Sequence, residues 1–203
     1  MGDFEKFYLA KNMKYLVIAI LLMFNNACKG QKREQMERFD ISDFRKKAVN
    51  GTHTFVTDDK LKVRQWQSSQ DVFIQETTAV NANETLYQEF YGSGLLKLSG
   101  KEFHGFPIGI WREYAKNGSV SREWDEDENY TFTIEELDEK MKDLGVDIRF
   151  KRTGVSVTRT DAGPPIYYVT YPISPASPYE LYKLAIDGVS GKTIGQEVIK
   201  IRN

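Results

Sequence analysis

Apolar and polar positions alternate differently along this chain, and the changes of period divide it. Over residues 39–50, Ile41, Phe44, Ala48 and Val49 recur at helical spacing, with Asp40 or Ser42 placed to cap and Gly51 to stop. A short helix is expected there. Residues 52–56, 61–66 and 71–78 follow, separated by Asp58-Asp59 and Ser68-Ser69. Leu61-Lys62-Val63-Arg64-Gln65-Trp66 begins with period-two alternation, and Val72-Phe73-Ile74-Gln75 shows it more weakly, which predicts strands with one wet face. Short turns make successive strands neighbours in space. One antiparallel meander is therefore expected from about residue 52 to residue 124.

Beyond it the period changes again. Thr133-Ile134-Glu135-Glu136 reads as a capping box, and Ile134, Leu137, Met141 and Leu144 form an apolar stripe that stops at Gly145. Alternation returns at 146–150, 155–157, 166–171, 179–186 and 192–201, with Asp187-Gly188-Val189-Ser190-Gly191-Lys192 as a turn. The Pro-rich stretches 163–165 and 172–178 read as loops. The second is long enough to be an exposed recognition feature, although proline also blunts sheet edges. The fold class is α+β: a mainly antiparallel β meander, then a helix-plus-antiparallel-sheet unit. The domain boundaries are 1–28, 29–50, 51–130 and 131–203.

Residues 86–124 hold an internal repeat. Tyr87 to Gly100 laid over Trp111 to Trp124 matches Tyr87 with Trp111, Glu89 with Glu113, Phe90 with Tyr114, Gly94 with Gly118 and Leu96 with Val120, always 24 residues apart. Such a period marks a repeated supersecondary unit, here strand, Gly turn and returning strand. Asn117-Gly118 suits a type I′ hairpin turn, which needs positive φ at both central residues. Gly109-x-Trp111-x-x-Tyr114-x-x-x-Gly118 resembles the short bacterial variant of the MORN repeat. The first copy is degenerate, with Tyr87 for Trp and Ser93-Gly94 for Asn-Gly. The resemblance covers about a fifth of the chain. It implies hairpins that bind proteins or membranes, as in some antitoxin-like proteins, and no reaction. On the plainer reading, Tyr87, Phe90, Trp111 and Tyr114 are core aromatics of an ordinary meander. Tyr182 to Ile194 resembles the last hairpin of a PepSY-type domain, which implies an envelope module that binds or inhibits proteases.

At the amino end, residues 15–24 (YLVIAILLMF) form an apolar run too short to span a bilayer. Lys11 and Lys14 precede it and Asn25-Asn26-Ala27-Cys28 follow, the layout of an export signal, with Met13 an alternative start. Cys28 is the single cysteine. Its placement resembles the lipobox of bacterial lipoproteins, although Asn25 and Asn26 depart from the usual residues. The resemblance implies diacylation of Cys28 and a lipid anchor in the bacterial cell envelope, on the periplasmic face or the outer membrane. Two acyl chains give stable anchoring. The alternative is a buried or fortuitous thiol. Residues 29–38, KGQKREQMER, read as a tether.

Composition narrows the function. A formal charge of −1 gives no support for nucleic-acid binding, which wants a basic face, and no nucleic-acid partner is expected. His53 and His104 are the only histidines, and HExxH, CxxC, GxSxG and phosphate-loop spacings are absent. No catalytic residue, cofactor or metal is therefore assigned. Asp125-Glu126-Asp127-Glu128 lacks the glycine and distant glutamate of a calcium loop and reads as a solvated linker. The expected function is a non-enzymatic envelope lipoprotein that binds a macromolecular partner, with Trp111, Arg112 and Tyr114 as contact candidates. The rivals are an immunity protein against a delivered toxin and a two-carboxylate hydrolase of cell-wall carbohydrate or peptide.

Overall fold

A computed structural model describes residues 38–151, 154–160, 162–174 and 177–200. The apolar run at 15–24, Cys28 and nearly all of the tether lie outside the described residues. Helix α1 (Ile41–Lys47) comes first, capped by the Asp40 carboxylate, which accepts from the Asp43 N–H at 2.8 Å. Its backbone turns extended at Ala48, so Val49 leaves the helical stripe and stands 72% exposed. Asn50 and Gly51, both at positive φ, reverse the chain into the first strand.

Seven strands then form one sheet in sequence order, each pair antiparallel. They are β1 (Thr52–Val56), β2 (Leu61–Ser69), β3 (Val72–Ala79), β4 (Glu84–Tyr91), β5 (Leu96–Phe103), β6 (Phe106–Tyr114) and β7 (Val120–Asp125). The expected meander is present over its full length. Residues paired directly across an antiparallel ladder share a face, so the registers define two sides.

The first side carries Phe73, Phe90 and Leu96, on which Phe39 and the α1 residue Phe44 pack, and, further along, Phe103 and Ile108. Between them runs a polar ladder across four strands. His53 meets Gln65 at 3.3 Å, Gln65 donates to Gln75 at 2.7 Å, and Gln75 donates to Gln88 at 3.3 Å. The last of these bonds gives the Oε1 of Gln88 a donor where the side chain is only 2% exposed.

The repeat is visible in the backbone. Tyr87 pairs with Gly100 and Trp111 with Trp124, and a bulge interrupts each hairpin at the same place, after Glu89 and after Glu113. The turns match as well. Tyr91 N–H donates to Leu95 and Gly94 N–H to Tyr91, while Ala115 N–H donates to Ser119 and Gly118 N–H to Ala115, all at 2.8 Å. The expected type I′ turn at Asn117-Gly118 is not formed, because only Gly118 has positive φ, as only Gly94 does in the first copy. Each loop is a three-residue connection closed by a left-handed glycine. The residue before that glycine needs no positive φ, so Ser93 serves where Asn117 does. A two-residue turn with positive φ at both positions occurs instead at His104-Gly105.

Helix α2 (Ile134–Asp143) has the expected capping box between Thr133 and Glu136. It ends in paired bonds from Gly145 N–H to Lys142 and from Val146 N–H to Met141, with Gly145 at φ 74°. Ile134, Leu137 and Met141 are buried, but the cap residue Leu144 rotates out and is 52% exposed. A four-stranded antiparallel sheet follows in the order β11-β10-β9-β8: β8 (Ser156–Arg159), β9 (Ile166–Ser174), β10 (Ser177–Asp187) and β11 (Thr193–Lys200). Val157, Tyr167, Val169, Leu184 and Ile186 from this sheet share one buried cluster with α2 and with Phe103 and Ile108 of the meander.

Two further expectations differ from the structure. Residues 146–150 form no full strand: pairing is limited to one antiparallel bridge between Phe150 and Ala82, while Ile148 is buried and its carbonyl accepts from the Asn83 side-chain amide and lies 2.8 Å from His104 Nε2. The Pro-rich stretch 172–178 is not a long loop, since β9 runs to Ser174 and β10 starts at Ser177. Pro172 pairs with Leu181 on one side, while on the other the β8 ladder has already ended at Ser156 opposite Thr170, where no partner needs its missing N–H.

Candidate interaction surface

The three contact candidates are divided between the two sides of the seven-stranded sheet. Arg112, opposite Ser99, and Tyr114 lie on the first side. Arg112 Nε donates to Glu123 at 2.6 Å, and the half-buried Tyr114 packs against the α1 cluster. Trp111 points to the second side and is 7% exposed, so it works as a packing residue. Sequence adjacency had grouped side chains that the pleat separates.

No described element packs over the second side. Its middle row runs Arg64, Glu76, Tyr87, Gly100 across β2 to β5 and continues through Trp111 to Trp124. Tyr87 and Trp111 ring centroids are 5.7 Å apart, and Trp111 stacks on Trp124 at 6.3 Å. Cations lie over the outer rings: Arg64 is 4.7 Å from the Trp66 centroid and Arg122 4.7 Å from that of Trp124. Trp111 Nε1 is buried without a hydrogen-bond partner.

The charges on this side are partly paired. Lys97 bonds Glu89 at 2.8 Å and Arg64 meets Glu76 at 3.6 Å. Burial, and then the carboxylates of Glu89, Glu102 and Glu76, push the Tyr87 hydroxyl well above its ordinary value, so it stays protonated and donates to Glu89 at 3.1 Å. Glu102 makes no ion pair among the described residues. Burial and the nearby Glu76 raise its pKa above the usual carboxylate range. Toward the His104-Gly105 turn the side deepens into a cleft of about 460 Å³ lined by Lys62, Arg64, Glu76, Thr85, Glu102 and Lys151, among others. His104 borders it, and burial lowers its pKa, so the ring is neutral at pH 7.

The acidic run 125–128 is more than a solvated linker. Asp127 accepts from the Gly109 N–H at 2.8 Å and from Arg159 Nη1, while Arg159 Nη2 donates to the Glu126 carbonyl at 2.9 Å. Arg159 is 6% exposed in its side chain and lies over the rings of Phe106 and Tyr130 at 5.1 and 4.8 Å. Sequence reasoning missed this clamp because its partners are 32 residues apart. The one available signal was Arg159 ending an alternating segment otherwise suited to burial. Among the described residues no group of three or more metal-ligating side chains converges, and no helix is long and apolar enough to cross a membrane. No protein-family model, curated protein or solved structure matches this chain.

Proposed function

We propose that this chain is a non-enzymatic lipoprotein of the bacterial cell envelope, anchored through Cys28, that binds a protein partner through the second side of its MORN-like sheet. The observation that supports it most is the row Tyr87, Trp111, Trp124 with flanking Arg64 and Arg122, over which no described element packs. Aromatic and arginine side chains dominate interface energetics where they are accessible. The contact set therefore shifts from Trp111, Arg112 and Tyr114 to Trp66, Tyr87, Arg122 and Trp124, with Trp111 as the support beneath.

Two measurements test this reading. Mass spectrometry of the native amino terminus should find acylated Cys28 at the start of the mature chain; an unmodified thiol preceded by residues 13–27 would defeat the anchoring. A photo-crosslinker at Leu98 on the second side should capture a discrete partner in intact cells. The same group at Lys101, on the first side, should not. Equal capture from both positions would remove the assignment of the face.

A further inference from the structure

We propose that the cleft at the His104-Gly105 end of the second side binds a short zwitterionic peptide, its carboxylate held by Lys62 and its ammonium by Glu102. The inference rests on the reading of the second side as the contact face, and it needs neither the lipid anchor nor the protein partner.

One cross-strand row carries the argument. Lys62 pairs with Thr78, Thr78 with Thr85, and Thr85 with Glu102, so a cation, two hydroxyls and a carboxylate stand side by side on four successive strands. The hydroxyls of Thr78 and Thr85 are 2.8 Å apart and form a polar floor. All four residues line the same cleft. Strands about 4.8 Å apart put the ends of the row ~14 Å from each other at the backbone. A fully extended tripeptide spans ~10 Å, and the long Lys and Glu side chains close the difference.

The charges select the ligand. Glu76, the other carboxylate of the cleft, is met by Arg64 at 3.6 Å, whereas Lys62, Lys151 and Glu102 have no ion-pair partner among the described residues, and of these three only Lys62 and Glu102 belong to the cross-strand row. An anion with several negative groups would meet Lys62, Arg64 and Lys151 but also the unpaired Glu102. A polycation would meet Glu102 but also Lys62. A molecule with one charge of each sign, separated by roughly three strand spacings, satisfies both ends. Its ammonium also offsets the repulsion between Glu76 and Glu102.

Calorimetric titration of the purified full chain in detergent, at low ionic strength, with trialanine, N-acetyl-trialanine and trialanine amide tests it. Trialanine is expected to bind saturably, and each blocked peptide at least about tenfold more weakly. Glu102→Gln should lose the preference for the free amine while keeping that for the free carboxylate, and Lys62→Met should do the reverse. Equal binding of free and blocked peptides, or no saturable heat with trialanine up to about 10 mM, would overturn the proposal. The blocked peptides decide the matter on the unaltered protein even if a variant misfolds. Peptide binding without capture at Leu98 would leave the cleft standing and remove the protein partner.

Discussion

The indole of Trp111 lies flat on Gly100: a methyl group at Gly100 would sit 2.1 Å from Trp111 Cδ2 and 2.2 Å from Cε2. Gly100 is the residue paired with Tyr87, and Trp124 occupies the equivalent place opposite Trp111. The repeat therefore breaks its own symmetry at one position. In the second hairpin two tryptophans face each other; in the first, the tyrosine faces a gap into which the next repeat's tryptophan settles. That offset lets one aromatic row pass continuously from β4 to β7.

Gly100→Ala is expected to destabilise the protein by about 1–3 kcal/mol, since the new methyl must displace a ring held between two others. Combining it with Trp111→Leu should give less than the sum of the two single losses, because the smaller side chain removes the clash. Denaturant unfolding of the four proteins in the cycle measures this; additive losses would mean that Gly100 matters for another reason.

The two left-handed turn glycines should not cost the same to replace. Gly94 and Gly118 have φ of 80° and 85°, so alanine at either carries the left-handed penalty, about 1–2 kcal/mol. At Gly94 the added carbon would also lie 2.6 Å from the carbonyl oxygen of Phe39, the residue whose N–H donates to the Gly94 carbonyl at 2.9 Å and so ties the incoming chain to the β4–β5 turn. Gly94→Ala is expected to be clearly the more damaging in thermal unfolding, and to loosen α1 selectively in hydrogen exchange.

Glu102 gives a pH signature. Its folded pKa lies above the unfolded value because burial and Glu76 favour the neutral acid, so the ionised group weakens the fold above that pKa. Glu102→Gln removes the penalty. The variant should be more stable than the parent at pH 7, by less than about 1 kcal/mol since solvent screens a half-buried group, and the gain should vanish below about pH 4, where the carboxylate is protonated folded or unfolded. A constant difference from pH 4 to 8 would count against the electrostatic origin. The stability gained would accompany loss of ammonium recognition in the cleft, the usual opposition between a functional charge and a stable fold.

Much of the architecture was legible because local signals agreed. The capping box at Thr133 and the stop at Gly145 bound α2, and the alternation at Leu61 and Val72 places β2 and β3. What was not legible depends on the third dimension. Asn117-Gly118 carries an I′ signal, yet a bulge after Glu113 changes the loop count and with it the turn. Ile148 alternates like a strand residue, but its carbonyl is met by Asn83 and His104, far away in sequence. Trp111, Arg112 and Tyr114 look like one patch along the chain, and the pleat sends the first to the opposite side. The row Lys62, Thr78, Thr85, Glu102 has no sequence signature, because only strand register brings its members together.

Arg159 joins the two sheets, and its loss should be felt between them. Its guanidinium is almost enclosed by Phe106 and Tyr130, with Asp127 and the Glu126 carbonyl taking its protons. Asp127 in turn holds the Gly109 N–H of β6, so one side chain links β8, the β7–α2 connection and the penultimate strand of the meander. Arg159→Met keeps the length and apolar stem but leaves the Asp127 carboxylate without its cation. The expected loss is about 3 kcal/mol, the lower part of the range for a broken buried pair because Asp127 retains some solvent contact. Arg159→Lys should recover only part of it, since one ammonium cannot bond the carboxylate and the carbonyl in the geometry of a planar fork. A double variant Asp127→Asn with Arg159→Met should be less damaged than the two single losses predict, as no charge is then stranded. If chemical denaturation shows Arg159→Met within about 0.5 kcal/mol of the parent, the clamp is ornamental and the two sheets are held by the shared apolar cluster alone.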